Sequence, residues 1–289
     1  MPKPVKIGDL LIGPGEPCFI VAEIGINHNG DVGIAKNLIA AAQLAQCQAV
    51  KFQKRTVEVV YTPEELDRER ESPFGETNRI LKESLEFGEA EYREIDRYCR
   101  DHDMLWFASS WDEGSVHFIE RFDPPCYKIA SASLTDDGLL KHHRATGRPI
   151  ILSTGMSTLE QIDHAVDVLG KENLIIMHCT STYPSKPAEL NLRCIKALEE
   201  RYDVPVGYSG HETGLATTLA AVAMGACCIE RHITLDRAMW GSDQAASVEP
   251  HGISRLVRDI RTVEAATGDG IKRIYDSELP IIEKLRRVG

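Results

Sequence analysis

Short runs of apolar residues recur along the chain, each followed by a longer stretch in which apolar positions return with a helical period. The runs are 18–25, 49–53, 104–109, 126–130, 149–153, 174–179, 205–209 and 227–232. They are β-branched or aromatic in part and apolar through successive positions, which suits parallel strands buried on both faces. Between them, residues 31–46 carry Ile34, Leu38, Ala42 and Ala45 at helical spacing, with Asp31 placed to cap the first turn. Residues 157–169 open Ser157-Thr158-Leu159-Glu160, the spacing of a capping box. Residues 213–224 and 253–266 are further helices by the same pattern.

Roughly eight such units predict an α/β fold, the (β/α)8 TIM barrel. A doubly wound sheet is the structural rival, weakened because no Gly-rich dinucleotide fingerprint follows the first strand. Residues 61–87 are a long insertion, dense in charge from Glu64 to Glu71 and carrying Ser72-Pro73-Phe74-Gly75. They read either as a lid over a site or as a solvated excursion. With no linker or repeat, residues 1–289 form a single domain, with 1–17 an N-terminal extension and 267–289 a C-terminal tail.

Composition narrows the function classes. Lys+Arg is 33 and Asp+Glu 44, a net charge of −11. That excludes a general binder of nucleic acid or anionic membrane, though not of a small anion held by a local cluster. No apolar run is long enough to span a bilayer, and the start lacks a signal-peptide profile. Most of the 8 cysteines lie in the apolar runs, and no C-x-x-C pair occurs. Reduced thiols and a cytoplasmic protein are the expectation.

In a barrel, chemistry gathers at the C-terminal ends of the strands. Here those ends carry Glu23, Lys51, Gln53, Lys128, Ser131, Ser153, Ser209, His211 and His232. A lysine in an apolar strand is costly to bury unless paired. Lys51 and Lys128 therefore either pair with Glu23 or Glu230 in the barrel core or recognise an anionic substrate. Ser131, Ser153 and Ser209, with Gly155 and Gly210 beside them, read as turn formers singly and as a phosphate cradle together. His211 and His232 come from adjacent strands and could share a metal such as Mn2+ or Mg2+, or be two unrelated histidines. His28 is a further candidate ligand or substrate contact.

These segments resemble a known family. Residues 22–30 (Ala22-Glu23-Ile24-Gly25-Ile26-Asn27-His28-Asn29-Gly30), Val50-Lys51-Phe52-Gln53, Tyr127-Lys128-Ile129-Ala130-Ser131, Ile151-Leu152-Ser153-Thr154-Gly155-Met156, His178-Cys179-Thr180, Tyr183-Pro184, Gly207-Tyr208-Ser209-Gly210-His211 and Glu230-Arg231-His232 resemble the N-acetylneuraminate (sialic acid) synthases. The likeness runs from about Ile20 to Asp243. It implies condensation of phosphoenolpyruvate with an N-acetylmannosamine-type aldose, giving a 3-deoxy-2-keto sugar acid and phosphate. It also implies His211 and His232 on a divalent metal, usually Mn2+ with Mg2+ or Co2+ as alternatives. Lys51, Lys128, Ser131, Ser153, Gly155 and Ser209 would sit on phosphoenolpyruvate. Glu23 would orient the sugar or its water, with Gln53, Tyr183 and Asp243 lining the sugar pocket. A homodimer follows by analogy.

Several positions depart from the family pattern. The family's C-terminal antifreeze-like domain, with its sugar-contacting arginine, finds no counterpart in these 289 residues, and Arg55, Arg68, Arg79 and Arg237 are candidates to replace that arginine. Ser133 stands where an acidic residue is frequent, Ser181 where the bacterial pattern has Asn, and Ser109-Ser110-Trp111 where Thr-Pro-Phe is frequent. The sugar end is therefore the altered end. Two rival readings are a pyruvate aldolase forming a Schiff base on Lys128 or Lys51, and an inactive barrel that binds a sugar acid or a partner.

Overall fold

A computed structural model describes residues 1–288. The chain begins with a hairpin, β1 (Val5–Ile7) and β2 (Leu10–Ile12), followed by barrel strands β3 (Phe19–Gly25) and β4 (Ala49–Lys54). A small hairpin, β5 (Glu69–Ser72) and β6 (Gly75–Thr77), interrupts the barrel. The barrel resumes with β7 (Leu105–Ser110), β8 (Tyr127–Ile129), β9 (Ile150–Ser153), β10 (Leu174–Cys179), β11 (Val206–Gly210) and β12 (Cys228–His232). Eight parallel strands close in the order β10-β11-β12-β3-β4-β7-β8-β9. The TIM barrel expected from the sequence is thus the fold, and each predicted run overlaps one barrel strand.

The helices are α1 (Val32–Leu44), α2 (Val57–Val60), α3 (Pro63–Leu66), α4 (Asn78–Ser84), α5 (Glu89–Asp101), α6 (Glu113–Glu120), α7 (Asp137–Ala145), α8 (Leu159–Leu169), α9 (Cys194–Tyr202), α10 (Ala216–Ala223), α11 (Pro250–Thr267) and α12 (Leu279–Leu285). Asp31 caps α1 as expected, accepting from the N–H groups of Gly33 and Ile34. The capping box of α8 sits one residue later than the sequence suggested. Thr158 and Gln161 exchange the bonds, not Ser157 and Glu160. Ser157 turns its hydroxyl back to the Gly155 carbonyl instead.

Side chains alternate across the barrel wall, because successive Cβ atoms of a strand point to opposite faces. On β3, Ile20, Ala22 and Ile24 pack outward in the layer beneath the helices, while Phe19 and Val21 point into the barrel. The same inward row then reaches Glu23. On β4 it runs Ala49, Lys51, Gln53; on β7, Phe107, Ser109; on β9, Ile151, Ser153. The interior is therefore apolar at the N-terminal end and polar at the C-terminal end. Val5, Ile7 and Ile12 of the N-terminal hairpin pack onto Phe19, Val21, Phe107 and Cys228, closing the apolar end. This hairpin, residues 5–12, plugs the barrel. All eight cysteines are free. No helix of the described residues is long and apolar enough to cross a membrane.

Two buried histidines belong to this scaffold. His143 on α7 bonds the Leu139 carbonyl at 2.9 Å and lies edge-on to Tyr127, with its Nε2 unpartnered. Burial lowers its pKa from 6.5 to about 4. His28 stacks on Phe87 at 3.9 Å, and burial lowers its pKa to about 3. Below 6.5 the unfolded chain takes up protons that these folded imidazoles refuse. Their stabilisation is therefore full above that value and is lost as pH falls through the acid range. Each such histidine is expected to cost about 2 kcal/mol of stability between about pH 7 and about pH 5. Thermal unfolding of the wild type and of His143→Gln at both pH values checks this: the variant should show the smaller loss.

Candidate active site

The polar ends of the inward rows meet in one cavity of about 210 Å³, lined by Glu23, Lys51 and Gln53 on one side and by Lys128, Ser131 and Ser153 on the other. Tyr183, Ser209, His211, Glu230 and His232 complete it. Ten of the twelve residues expected at the site thus line a single cavity. Gly155 and Asp243 do not line it. Gly155 lies behind Ser131, its N–H donating to the Ser131 hydroxyl at 2.9 Å. Asp243 lies beside His232, with Oδ2 3.8 Å from Nδ1. His28 does not line the cavity and belongs to the packing against Phe87.

Lys51 and Lys128 form the core pairs that the sequence left open, and they also line the cavity. Lys51 Nζ lies 3.0 Å from Glu23 and 3.3 Å from Glu230, and donates to Ser109 Oγ at 3.2 Å. Lys128 Nζ donates to Ser153 Oγ at 2.6 Å and lies 3.9 Å from Glu230. Both lysines are buried, and both ammonium groups face the cavity. They are core ion pairs and cavity cations at once.

The charges bias one another. Burial pushes the Glu23 carboxyl up to about 7, against the pull of Lys51 and with the repulsion of Glu230 added. Glu230 suffers the same burial, but Lys128, Lys51 and the two histidines outweigh it and hold this carboxyl low. Ser209 also donates to Glu230, at 3.1 Å. Burial lowers the Lys128 pKa despite Glu230, whereas at Lys51 the two carboxylates outweigh burial and raise it. Glu23 is thus the carboxyl that changes form near neutrality, while Glu230 remains the fixed counter-charge.

Gln53 is oriented by its neighbours. Its Nε2 donates to Glu23 at 3.1 Å, while Arg55 donates to its carbonyl oxygen. Arg55 is buried and packs over Trp111. Of the four arginines considered from the sequence, Arg55 is tied directly to the cavity through Gln53. Arg79 is spent on Glu58, Asp67 and Glu83, Arg68 is exposed, and Arg237 bonds the Ala245 carbonyl in its own loop.

The two histidines stand 5.4 Å apart between ring centroids, with the Tyr183 ring 4.2 Å from His211 and 5.7 Å from His232. Burial and the neighbouring His232 lower the His211 pKa to about 4, and burial lowers that of His232. Both are neutral at pH 7, the form that ligates metal. His211 Nδ1 bonds the Thr180 carbonyl at 2.9 Å, which leaves the Nε2 lone pair free. His232 Nδ1 is buried with no hydrogen-bond partner. An orphaned imidazole nitrogen next to a second free one fits a metal held by two histidines. Among the described residues, no group of three or more His, Cys, Asp or Glu side chains has metal-ligating geometry. The remaining ligands would therefore be water and substrate oxygens.

Part of the lining was noted in the sequence only as departures from the family pattern, or not at all. Ser109, Trp111, Cys179 and Ser181 also face the cavity. Ser109 and Cys179 were legible in principle as the last inward positions of β7 and β10. The Cys179 thiol contacts the Ser131 hydroxyl at 3.2 Å, and Ser181 lies next in that row. The insertion 61–87 crosses towards the last barrel loop, where Phe74 at the hairpin turn meets Trp240 edge-on at 5.8 Å.

An eight-stranded parallel barrel with cations, hydroxyls and imidazoles gathered at its C-terminal mouth has the layout of a barrel enzyme. The sequence profile of the NeuB family matches residues 38–272. The N-acetylneuraminate-9-phosphate synthase of Homo sapiens is 38% identical over 279 residues, covering 95% of this chain and 78% of that protein. The N,N'-diacetyllegionaminic acid synthase of Legionella pneumophila is 34% identical, covering 95% of this chain and 80% of its own. A solved N-acetylneuraminic acid (sialic acid) synthetase from Leptospira borgpetersenii, in complex with citrate, superposes with a TM-score of 0.87 at 31% identity, over 100% of this chain and 99% of that one. The chain belongs to the NeuB family of sialic and related nonulosonic acid synthases.

The cradle can be tested by filling it. A Cβ on Gly155 would stand 2.1 Å from Ser181 Oγ and 2.9 Å from both Cys179 Sγ and Ser131 Oγ. Gly155→Ala should fold, since its Cβ meets side-chain ends rather than backbone. It should weaken binding of a phosphorylated anion about tenfold or more, as hydroxyls are driven off their positions. Calorimetric titration with phosphoenolpyruvate checks this; unchanged affinity would show that the cradle is not there.

Proposed function

We propose that the protein condenses phosphoenolpyruvate with an aldose of the N-acetylmannosamine type, giving a 3-deoxy-2-keto sugar acid and inorganic phosphate. The observation that carries this is the convergence of two buried lysines and their serine hydroxyls on one cavity, beside two neutral imidazoles. Membership of the NeuB family supports it, as do relatives that make different nonulosonic acids. Because those relatives differ in product, the acceptor is assigned as a class of sugar.

On this reading Lys51 and Lys128 hold the carboxylate and phosphate of phosphoenolpyruvate, with Ser131, Ser153 and Ser209 adding hydroxyl contacts around the backbone at Gly155. Gln53 and Tyr183 line the acceptor end, with Asp243 beside His232 just outside it. A divalent ion held by His211 and His232, with Mn2+ the first choice and Mg2+ or Co2+ the alternatives, would supply Lewis-acid polarisation of the aldehyde. Carbon 3 of phosphoenolpyruvate forms a bond to the aldehyde carbon, and the aldehyde oxygen takes a proton to become a hydroxyl. Glu23 would give that proton, with Gln53 fixing its carboxyl. Water adds at carbon 2 and loses a proton, and the carbon–oxygen bond to phosphate breaks. The balance is phosphoenolpyruvate plus aldose plus water, giving keto acid plus phosphate. We read residues 61–87 as a lid over this chemistry, because Phe74 at its hairpin turn packs against Trp240 of the loop after β12.

The Schiff-base alternative has one feature in its favour, the lowered pKa of Lys128. Against it, Lys128 Nζ is engaged by Ser153 and Glu230 rather than free to attack a carbonyl. Purified protein with Mn2+ and phosphoenolpyruvate should release phosphate with at least one hexosamine or phosphorylated hexosamine. Lys51→Met and Lys128→Met should each lower kcat/KM for phosphoenolpyruvate by about a hundredfold or more. Borohydride with pyruvate should leave the mass of the protein unchanged. A stable adduct on Lys51 or Lys128, or no phosphate release across an aldose panel, would overturn the proposal.

A further inference from the structure

The side chains that alternate with the site residues form a second polar cluster on the far side of the barrel wall. On β12, Glu230 and His232 face the cavity, so Arg231 between them points outward. Just past β11, His211 faces the cavity and Glu212 points outward. Arg231 and Glu212 are both about 1% exposed and form an ion pair at 3.2 Å beneath α10. The same guanidinium donates to the Glu212 backbone carbonyl at 2.6 Å, the Gly214 carbonyl at 3.0 Å and the Thr218 hydroxyl at 2.7 Å. The Glu212 carboxylate accepts in addition from Tyr208 OH at 2.8 Å, Thr217 at 2.7 Å and Thr218 at 2.8 Å. Gly210 leaves the room this needs: a Cβ there would lie 2.7 Å from Glu212 Oε2 and 2.8 Å from the Tyr208 ring.

We propose that the Arg231–Glu212 pair is a positioning element that sets the separation and orientation of His211 and His232 from behind the barrel wall. It rests on the reading of those two histidines as metal ligands. One side chain, attached next to His232, grips the backbone immediately after His211. Gly210 and Arg231 are register partners across β11 and β12, so the grip spans adjacent strands with no slack. Beyond it, Glu212 bridges to Ser185, whose N–H donates to the His211 carbonyl. Stability alone does not call for this arrangement. A buried ion pair is often no more stabilising than apolar residues of like volume, because both charges must be desolvated. What the pair does supply is a fixed relation between two segments that each end in an imidazole. Groups outside a metal's direct ligands typically change its affinity by this route.

The test is direct Mn2+ titration of the metal-stripped full chain by calorimetry and by electron paramagnetic resonance, beside titration with phosphoenolpyruvate in the absence of metal. His232→Ala reports on the underlying reading: if it binds Mn2+ like the wild type, the histidines are not the ligands and the positioning role has no object. If His232→Ala loses the site, Glu212→Gln and the paired Arg231→Met, Glu212→Leu variant decide the role of the clamp. Both should bind Mn2+ about tenfold or more weakly while keeping wild-type affinity for phosphoenolpyruvate. Where either fails to fold, Tyr208→Phe, which removes one bond to Glu212, should show the same selective loss in smaller degree. Wild-type Mn2+ affinity in the folded variants, or equal weakening of both ligands, would overturn the proposal.

Discussion

The mouth of this barrel is governed by the need to balance two ammonium groups sealed away from water. Lys51 and Lys128 sit directly above apolar inward residues, Ala49 and Cys126, and neither can hold its charge there alone. Glu230 stands between them at 3.3 and 3.9 Å and takes the role of fixed anion. Glu23 pairs with Lys51 at 3.0 Å, but that one cation does not offset its burial and the repulsion of Glu230, so its acid form competes near neutrality. When Glu23 is neutral, two cations face one carboxylate and the cavity is locally positive. A protein with a net charge of −11 thereby presents a cationic pocket without a basic surface.

Strand register distributes these groups. A parallel barrel turns every second side chain inward, and each strand contributes its last inward position to the mouth. The apolar lower layers, closed by the N-terminal hairpin, fix those positions by packing. The outward positions of the same strands feed the core beneath the helices, apart from the cluster around Arg231. Site and scaffold are thus interleaved at single-residue spacing, and a one-residue slip of β12 would turn Arg231 into the cavity in place of Glu230 and His232.

The same interleaving explains what could be read from the sequence. Apolar runs buried on both faces are conspicuous, so all eight barrel strands were visible, as was the cap at Asp31. The lysines, glutamates and histidines at the strand ends were visible because charge in an apolar strand is out of place. Ser109 and Cys179 were harder, since serine and cysteine pass for ordinary turn and core residues and only strand parity directs them inward. His28 misled because its neighbours, rather than its identity, decide its role: Phe87 comes from a distant segment and covers it. The capping box at α8 slipped by one because Thr158-Gln161 and Ser157-Glu160 carry the same signal, and only the turn at Gly155 selects between them. The plug formed by residues 5–12 depends on closure of the barrel, which no local pattern encodes.

The two ends of the proposed reaction rest on different kinds of structure. Lys51, Lys128, Ser153 and Ser209 are strand residues, locked by neighbours on both sides. Tyr183, Asp243, Trp240 and the insertion 61–87 lie outside the barrel strands, in loops and short excursions. Loops tolerate change in length and composition with little effect on the barrel, whereas a strand residue cannot move without its register. On the proposed roles, an anion site mostly on strands and an acceptor site mostly on loops would let the sugar change while the condensation chemistry stays fixed. Relatives that make N-acetylneuraminate 9-phosphate and N,N'-diacetyllegionaminic acid on 38% and 34% identical chains are consistent with that division. The departures at Ser133 and Ser181 lie beyond strand ends, whereas that at Ser109-Ser110-Trp111 spans the end of β7, where Ser109 accepts from Lys51; Lys51, Lys128, His211 and His232 retain the positions that the barrel dictates.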